Sequence, residues 1–452
     1  MEHVGRLLLR SSPSQDTTPE TGMSLGHALA ADYDKIVVGM DLTKSSPMMR
    51  NALVAGIISS GSDVIDVGRV SGPVIAHAAR MGDCAVYITE FRQQDLVSGY
   101  LLINKDGCYF GQEQIAHLEE NLEVRRKMPD DRDLGSLKEY YNATRDYNDM
   151  IVAVSNNVSG GSLILNCNCG MATDSAPQLL NLLGTDVISI NAQKDRNFVS
   201  DSLSVKEADT RHMRALVESN AGWMGISLNR IGTLCRVFDE AGTPLSDSEV
   251  LGLLILYLRP AKVVVPLDIS WLVSDIFNGV GIEVSSPFPE PELNDRELIF
   301  TELSTTAIHD AMVESGATLG YYKGGFIFSN LNYSPDAIYT SVVLSQFSGS
   351  NNMQTVLESF PKYYSDSKSY EIQCSHEDFR TMFEENLSNV NPMNSVGTGP
   401  WRVYVSGGGF YVEFDKDSED TINVIAESSD RLYLASLMEI IDQLIESCAS
   451  GQ

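Results

Sequence analysis

The strongest constraint on the fold is an alternation near the start of the chain, where apolar runs of strand length take turns with a helical period. Lys35 to Asp41 reads KIVVGMD, the unbroken apolar pattern of a strand buried on both faces. SSPMMRNALVAGIISSG then has helical spacing, with Ser45 or Ser46 as N-cap and Gly61 as the stop. SDVIDVGRVSGP follows as a second strand and turn, and DCAVYIT as a third. This β-α-β order predicts an α/β fold. Upstream, TPETGMSLGHALA predicts a helix with Thr18 as N-cap and Pro19 in its first turn.

A length of 452 residues implies three or four domains of ordinary size, and 43% hydrophobic content is enough for real cores. The formal charge of −29 argues against nucleic-acid and anionic-membrane partners. No stretch reaches the roughly twenty apolar residues of a membrane span; VLGLLILYL and AKVVVPL read as a core helix and a strand. Without an apolar signal-peptide core at the N-terminus, the expected location is cytoplasmic. Seven cysteines are scattered along the chain, and the lone C-x-C of Cys167 and Cys169 lacks a second ligand pair, so structural thiols are expected. SGGGF at Ser406 has no lysine and helix behind it and reads as a hairpin turn.

Met224 to Glu240, MGISLNRIGTLCRVFDE, reads as strand, loop, strand and acidic turn. It resembles the second-domain segment of the α-D-phosphohexomutases (phosphomannomutase, phosphoglucomutase and phosphoglucosamine mutase), whose pattern runs roughly LGIAFDGDADRLGVVDE. The two align without a gap, but the three aspartates that hold Mg²⁺ in the family fall on Asn229, Ile231 and Thr233, and the following arginine on Leu234. Magnesium is a hard cation that takes oxygen ligands, usually carboxylates. The expectation is that the metal site is gone and no cofactor is needed.

The resemblance continues through the chain. GMDLTKSS is similar to the family's G-R-D-x-R-x-S-S, with Thr43 in place of an arginine. ITEFRQQ stands where the family has ITASHNP, so Phe91 replaces the phosphorylated serine and Arg92 the histidine. Phosphoryl transfer needs an oxygen nucleophile in line with phosphorus, which a phenyl ring cannot supply. Thr89 is a weak substitute, better explained as a threonine ending a strand. LGYYKGGFIF resembles the sugar loop G-E-x-S-G, with Tyr321 at the glutamate and Lys323 at the serine. Those side chains could bind a sugar or an anion, or fill a cleft mouth. FDKDSED stands at the phosphate loop RPSGTEP, with Phe414 at the arginine and Lys416 as the one cation among acids. Each like-charge contact at that loop costs about a few kcal/mol in a low-dielectric cleft, so it should repel phosphate.

The resemblance implies four domains: three similar α/β units with mixed sheets, at residues 1–148, 149–254 and 255–366, and a smaller C-terminal α+β domain at 367–452. YYSDSKS, from Tyr363 to Ser369, reads as a polar link into the last one, and PFPEPELNDREL, from Pro287 to Leu298, as a loop. The function implied is that of a phosphohexomutase-like pseudoenzyme in carbohydrate metabolism, a regulatory or scaffolding partner of an active paralogue or a homodimer. The alternatives are an active intramolecular phosphotransferase of this class and a cleft-binding module for a non-phosphorylated ligand.

Overall fold

A computed structural model describes residues 6–7, 18–92, 96–122, 130–155, 158–197, 207–279, 281–390, 392–415, 418 and 420–449. Domain I is a six-stranded mixed sheet built from β1 (Arg6–Leu7), β2 (Lys35–Met40), β3 (Asp63–Arg69), β4 (Cys84–Arg92), β5 (Leu96–Asn104) and β6 (Leu137–Glu139). Their order is β1-β5-β4-β2-β3-β6, parallel through β4, β2, β3 and β6 and antiparallel at β5. Around it lie α1 (Pro19–Leu29), α2 (Ser46–Ser59), α3 (Gly72–Ala78), α4 (Gln112–Leu122) and α5 (Ala143–Val154). Burial on both faces explains the unbroken apolar run of β2, in which Ile36, Val37 and Val38 have no exposed surface. Ser45 sits at the N-cap position of α2 without a side-chain capping bond, and the neighbouring Ser46 hydroxyl is turned inward to Asp41.

Domain II repeats the design with four strands, β7 (Ser162–Asn166), β8 (Asp186–Ile190), β9 (Met224–Leu228) and β10 (Cys235–Phe238), in the order β10-β9-β7-β8. Its helices are α6 (Ala176–Leu182), α7 (Glu207–Glu218) and α8 (Asp247–Leu258). A capping box starts α8: Ser246 accepts from Glu249 N–H while the Glu249 carboxylate accepts from Ser246 N–H. Domain III carries β11 (Lys262–Pro266), β12 (Glu297–Thr301), β13 (Leu319–Tyr322) and β14 (Gly325–Phe328), ordered β12-β11-β13-β14, with α9 (Trp271–Asn278), α10 (Thr305–Ser315), α11 (Ala337–Ser350) and α12 (Met353–Glu358). Domain IV is an antiparallel sheet of β15 (Tyr364–Glu371), β16 (Asn394–Val396), β17 (Trp401–Val405), β18 (Gly408–Phe414) and β19 (Thr421–Ser428), backed by α13 (His376–Asn386) and α14 (Arg431–Ala449). SGGGF is indeed the turn between β17 and β18, with Gly407 at φ 90°.

One sequence expectation needs correcting. YYSDSKS is no link: Tyr364 to Glu371 form β15, paired along its whole length with β19. Its side chains are exposed at every position but Tyr370, so no apolar alternation marks it as a strand. In the tail of domain I, β6 lies between α4 and α5. The limits expected at 148/149, 254/255 and 366/367 fall inside α5, α8 and β15.

Domains I to III share one continuous apolar core, running from Val37 and Tyr87 through Ile226 and Leu253 to Val265 and Leu344. Domain IV has a separate core around Phe379, Trp401 and Ile441. Buried polar bridges tie the units together. Tyr147 on α5 donates its hydroxyl to Asp336, the N-cap of α11, which also accepts from Tyr339 N–H. Arg402 on β17 has no exposed surface, donates to the carbonyls of Leu267 and Ile269 in domain III, and lies 3.7 Å from the Trp271 ring centroid. At the same seam Glu427 of β19 accepts from Ser270 Oγ and Trp271 N–H.

A hydrogen bond from a charged group contributes about 1.5–3 kcal/mol, and a buried acceptor left without its donor costs about as much again. Arg402→Ala should therefore loosen domain IV, seen as faster hydrogen exchange at Leu267 to Leu272; unchanged exchange there would contradict the clamp. Burial raises the Asp336 carboxyl from 3.8 to about 6. Because the folded form holds the proton more tightly, this group stabilises the fold as pH falls through about 6 and withdraws that contribution as pH rises, on the order of 3 kcal/mol in all. Asp336→Asn keeps the cap without the charge, so its stability relative to the parent should rise between about pH 4 and about pH 7. A pH-independent difference in urea unfolding would refute this.

Candidate functional site

The ends of β2 and β4 and the loop from Asn229 to Leu234 meet around one carboxylate. Asp41, just past β2, has no exposed surface. Its Oδ1 accepts from Thr43 N–H at 2.8 Å and Ser46 Oγ at 2.9 Å; its Oδ2 accepts from Thr43 Oγ1 at 3.0 Å and Thr89 Oγ1 at 2.8 Å. A buried ionised carboxylate also needs a counter-charge. Arg230 reaches in from domain II, with Nε 3.9 Å from Asp41 Oδ2 and Nη2 donating to Thr43 Oγ1 at 3.2 Å. At this separation and an effective dielectric near 20, the attraction is about 4 kcal/mol before desolvation is subtracted.

Thr89, the substitute nucleophile, is thus committed: its hydroxyl is fully buried and donates to Asp41. Phe91 and Arg92 belong to β4, which continues where the resemblance implies a loop, and they pair with Val97 and Leu96 of β5. The side chains of residues 90–98 lie outside the described set.

The loop after β9 is closed on itself. Asn229 Oδ1 accepts from Thr233 N–H at 2.9 Å and Leu234 N–H at 3.2 Å, while its Nδ2 donates to Thr233 Oγ1 at 3.1 Å. Ile231 is 1% exposed and packs in the shared core; Leu234 is half-buried. Upstream, a buried amide cluster of Asn166 and Asn168 holds the end of β9 through Ser227 Oγ and the Leu228 carbonyl. With one committed amide, one hydroxyl, one alkyl chain and no carboxylate, the donor set at 229, 231 and 233 does not fit a hard divalent cation. No group of three or more metal-ligating side chains occurs among the described residues.

Thr43, Thr89, Asn229, Ile231 and Thr233 are therefore gathered at one junction, whereas Tyr321, Lys323 and Phe414 have separate local partners. Tyr321 donates to Asp247 at the start of α8 at 2.9 Å and accepts from Gly324 N–H at 3.1 Å. Burial, and then the Asp247 charge, push its phenol well up. Lys323 has a left-handed backbone, φ 41°, and its ammonium lies over the Tyr322 ring. Phe414, partly buried, stacks on His376 at 4.0 Å between centroids and meets Phe379 and Trp401 edge-on, packing against the domain IV core. Lys416 lies outside the described residues.

Two groups escaped the sequence reading. Arg230 occupies the second loop position, where nothing in the sequence tells which way its side chain turns. Asp268, in the turn after β11, has its carboxyl raised by burial and by the charge of Glu413 from domain IV, a pairing between residues far apart in sequence. All seven cysteines are free thiols; Cys167 and Cys169 are buried. No helix among the described residues is long and apolar enough to cross a membrane.

The family profile for phosphoglucomutase/phosphomannomutase, α/β/α domain I, matches residues 9–127. A relative from Methanosarcina barkeri (strain Fusaro), named "Probable phosphoglucosamine mutase", is 27% identical over 408 residues, covering 88% of each chain. The crystal structure of a phosphoglucomutase/phosphomannomutase family protein from Burkholderia thailandensis superposes with a TM-score of 0.78 at 17% identity, over 98% of this chain and 96% of that one. Aspergillus fumigatus N-acetylphosphoglucosamine mutase, solved in complex with GlcNAc-6P and magnesium, has a TM-score of 0.52 at 12% identity, over 92% of this chain and 82% of that one. The domain I profile of this family thus matches within the first domain, and relatives named phosphoglucosamine mutase are similar to the chain across most of its length.

Proposed function

We propose that this protein does not transfer phosphoryl groups and acts through its shape, as a cytoplasmic regulatory or scaffolding partner of an active paralogue or as a homodimer. The observation that carries this reading is the state of the strand end at the phosphoserine position. Phe91 offers no oxygen there, and the one hydroxyl before it, Thr89, is fully buried and donates to Asp41. A threonine in that state can neither meet a substrate phosphate nor align with it. The poor metal donor set at Asn229, Ile231 and Thr233, and the Tyr321–Asp247 bond at the sugar loop, support the same reading.

A second reading is favoured by the relatives. Proteins from Methanosarcina barkeri, Methanococcus aeolicus and Clostridioides difficile carry names in the phosphoglucosamine mutase class and match this chain at 27%, 24% and 24% identity. On that reading the chain is an intramolecular phosphotransferase acting on a hexosamine phosphate. A third reading keeps the cleft as a binding site for a non-phosphorylated ligand, consistent with the carboxylates Asp247, Asp268 and Glu413 around it.

Turnover separates the first two. Purified protein supplied with glucosamine phosphates, a hexose bisphosphate and Mg²⁺ should give a rate equal to the buffer blank, and its intact mass should show no added phosphate. Mutase turnover that persists through purification and disappears in Thr89→Ala would establish the second reading instead. Light scattering of the protein alone and with the active paralogue tests the partner role; a strict monomer in both samples would remove it.

A further inference from the structure

We infer that Arg230 is the resident cation of the junction between domains I and II, so that the docking of these domains needs no divalent metal. This inference is independent of whether the chain turns over substrate. Where the superfamily resemblance implies magnesium between the 229–234 loop and the end of β4, the residues present cannot build its oxygen shell. The Asp41 carboxyl group nevertheless remains there, fully buried and taking hydrogen bonds from Thr43, Ser46 and Thr89. Those donors satisfy its lone pairs but bring no full charge. The Arg230 guanidinium brings one, 3.9 Å from Asp41 Oδ2, and by donating to Thr43 Oγ1 it engages the same hydroxyl that Asp41 accepts from.

The backbone is arranged to aim it. The Arg230 carbonyl accepts from Met171 N–H at 2.7 Å, and a Cβ on Gly170 would lie 2.4 Å from that carbonyl oxygen, so only glycine allows this approach. The next carbonyl, of Ile231, accepts from Gly72 N–H of domain I at 2.8 Å, and that of Gly232 from Ala337 N–H of domain III at 3.1 Å. Three domains thus hold three successive peptide groups of one loop, and the side chain on the first of them has little freedom to leave. A metal ion dissociates, which makes docking depend on its concentration by mass action. A guanidinium carried by the chain does not.

The test uses the full-length protein and the variants Arg230→Met, Arg230→Lys, Asp41→Asn and Asp41→Asn/Arg230→Met. The readouts are thermal unfolding in EDTA and in millimolar Mg²⁺, and hydrogen exchange over residues 41–46 and 229–234. The parent should unfold at the same temperature in both media. Arg230→Met and Asp41→Asn should each raise exchange in both segments by about tenfold or more, and the double variant should resemble a single one, not the product of both. Arg230→Lys should recover part of the protection. Should Arg230→Met fail to fold, the double variant must restore a folded protein. A parent stabilised by Mg²⁺, single effects that multiply in the double variant, or a double variant that also fails to fold would overturn the proposal.

Discussion

A carboxylate sealed from water must be compensated from within the molecule, and around Asp41 this requirement organises the junction of the first two domains. Three hydroxyls and a backbone amide satisfy its oxygens, and Arg230 crosses from the second domain with the opposite charge. Polar groups committed in this way are fixed in geometry, since breaking any one of them leaves a buried group without its partner. The Thr89 hydroxyl and the 229–234 loop are held by that same necessity. Their rigidity follows from burial and does not require a substrate.

The other loops at which the resemblance implies chemistry have been absorbed into structure by different means. At the sugar loop a phenol fills the position and bonds to the first residue of α8, joining domain III to domain II. At the phosphate loop a phenyl ring has turned inward against His376, Phe379 and Trp401. An arginine at that position would need anions or water around it, whereas a phenylalanine gains by leaving water. The cleft residues have thereby become contacts within and between domains.

Much of this architecture was legible in the sequence, because strands buried on both faces write themselves as apolar runs. KIVVGM and KVVVP are such strands, and VLGLLILYL lies in the core helix α8. The donor set of the 229–234 loop was legible too, since Asn229, Ile231 and Thr233 where the resemblance implies carboxylates need only the residue types. What could not be read was direction. Whether Arg230 points to solvent or to Asp41 is decided by Gly170, Met171 and Gly72, which hold the loop backbone from distant parts of the chain. Asp268 meets Glu413 only because domain IV docks on domain III, and β15 hid as a link because its side chains carry no apolar period.

The exposure of β15 has a consequence for the protein in a crowded solution. It is the outer strand of its sheet, eight residues long, and bonds along one side to β19. A flat outer strand of that length is a template on which another polypeptide can add its own strand. Along it Asp366 and Glu371 stand exposed among serines and Lys368 is paired with Asp442, so an incoming segment would have to desolvate charged groups. The polarity that disguised this strand is thus what keeps one molecule from zipping onto the next.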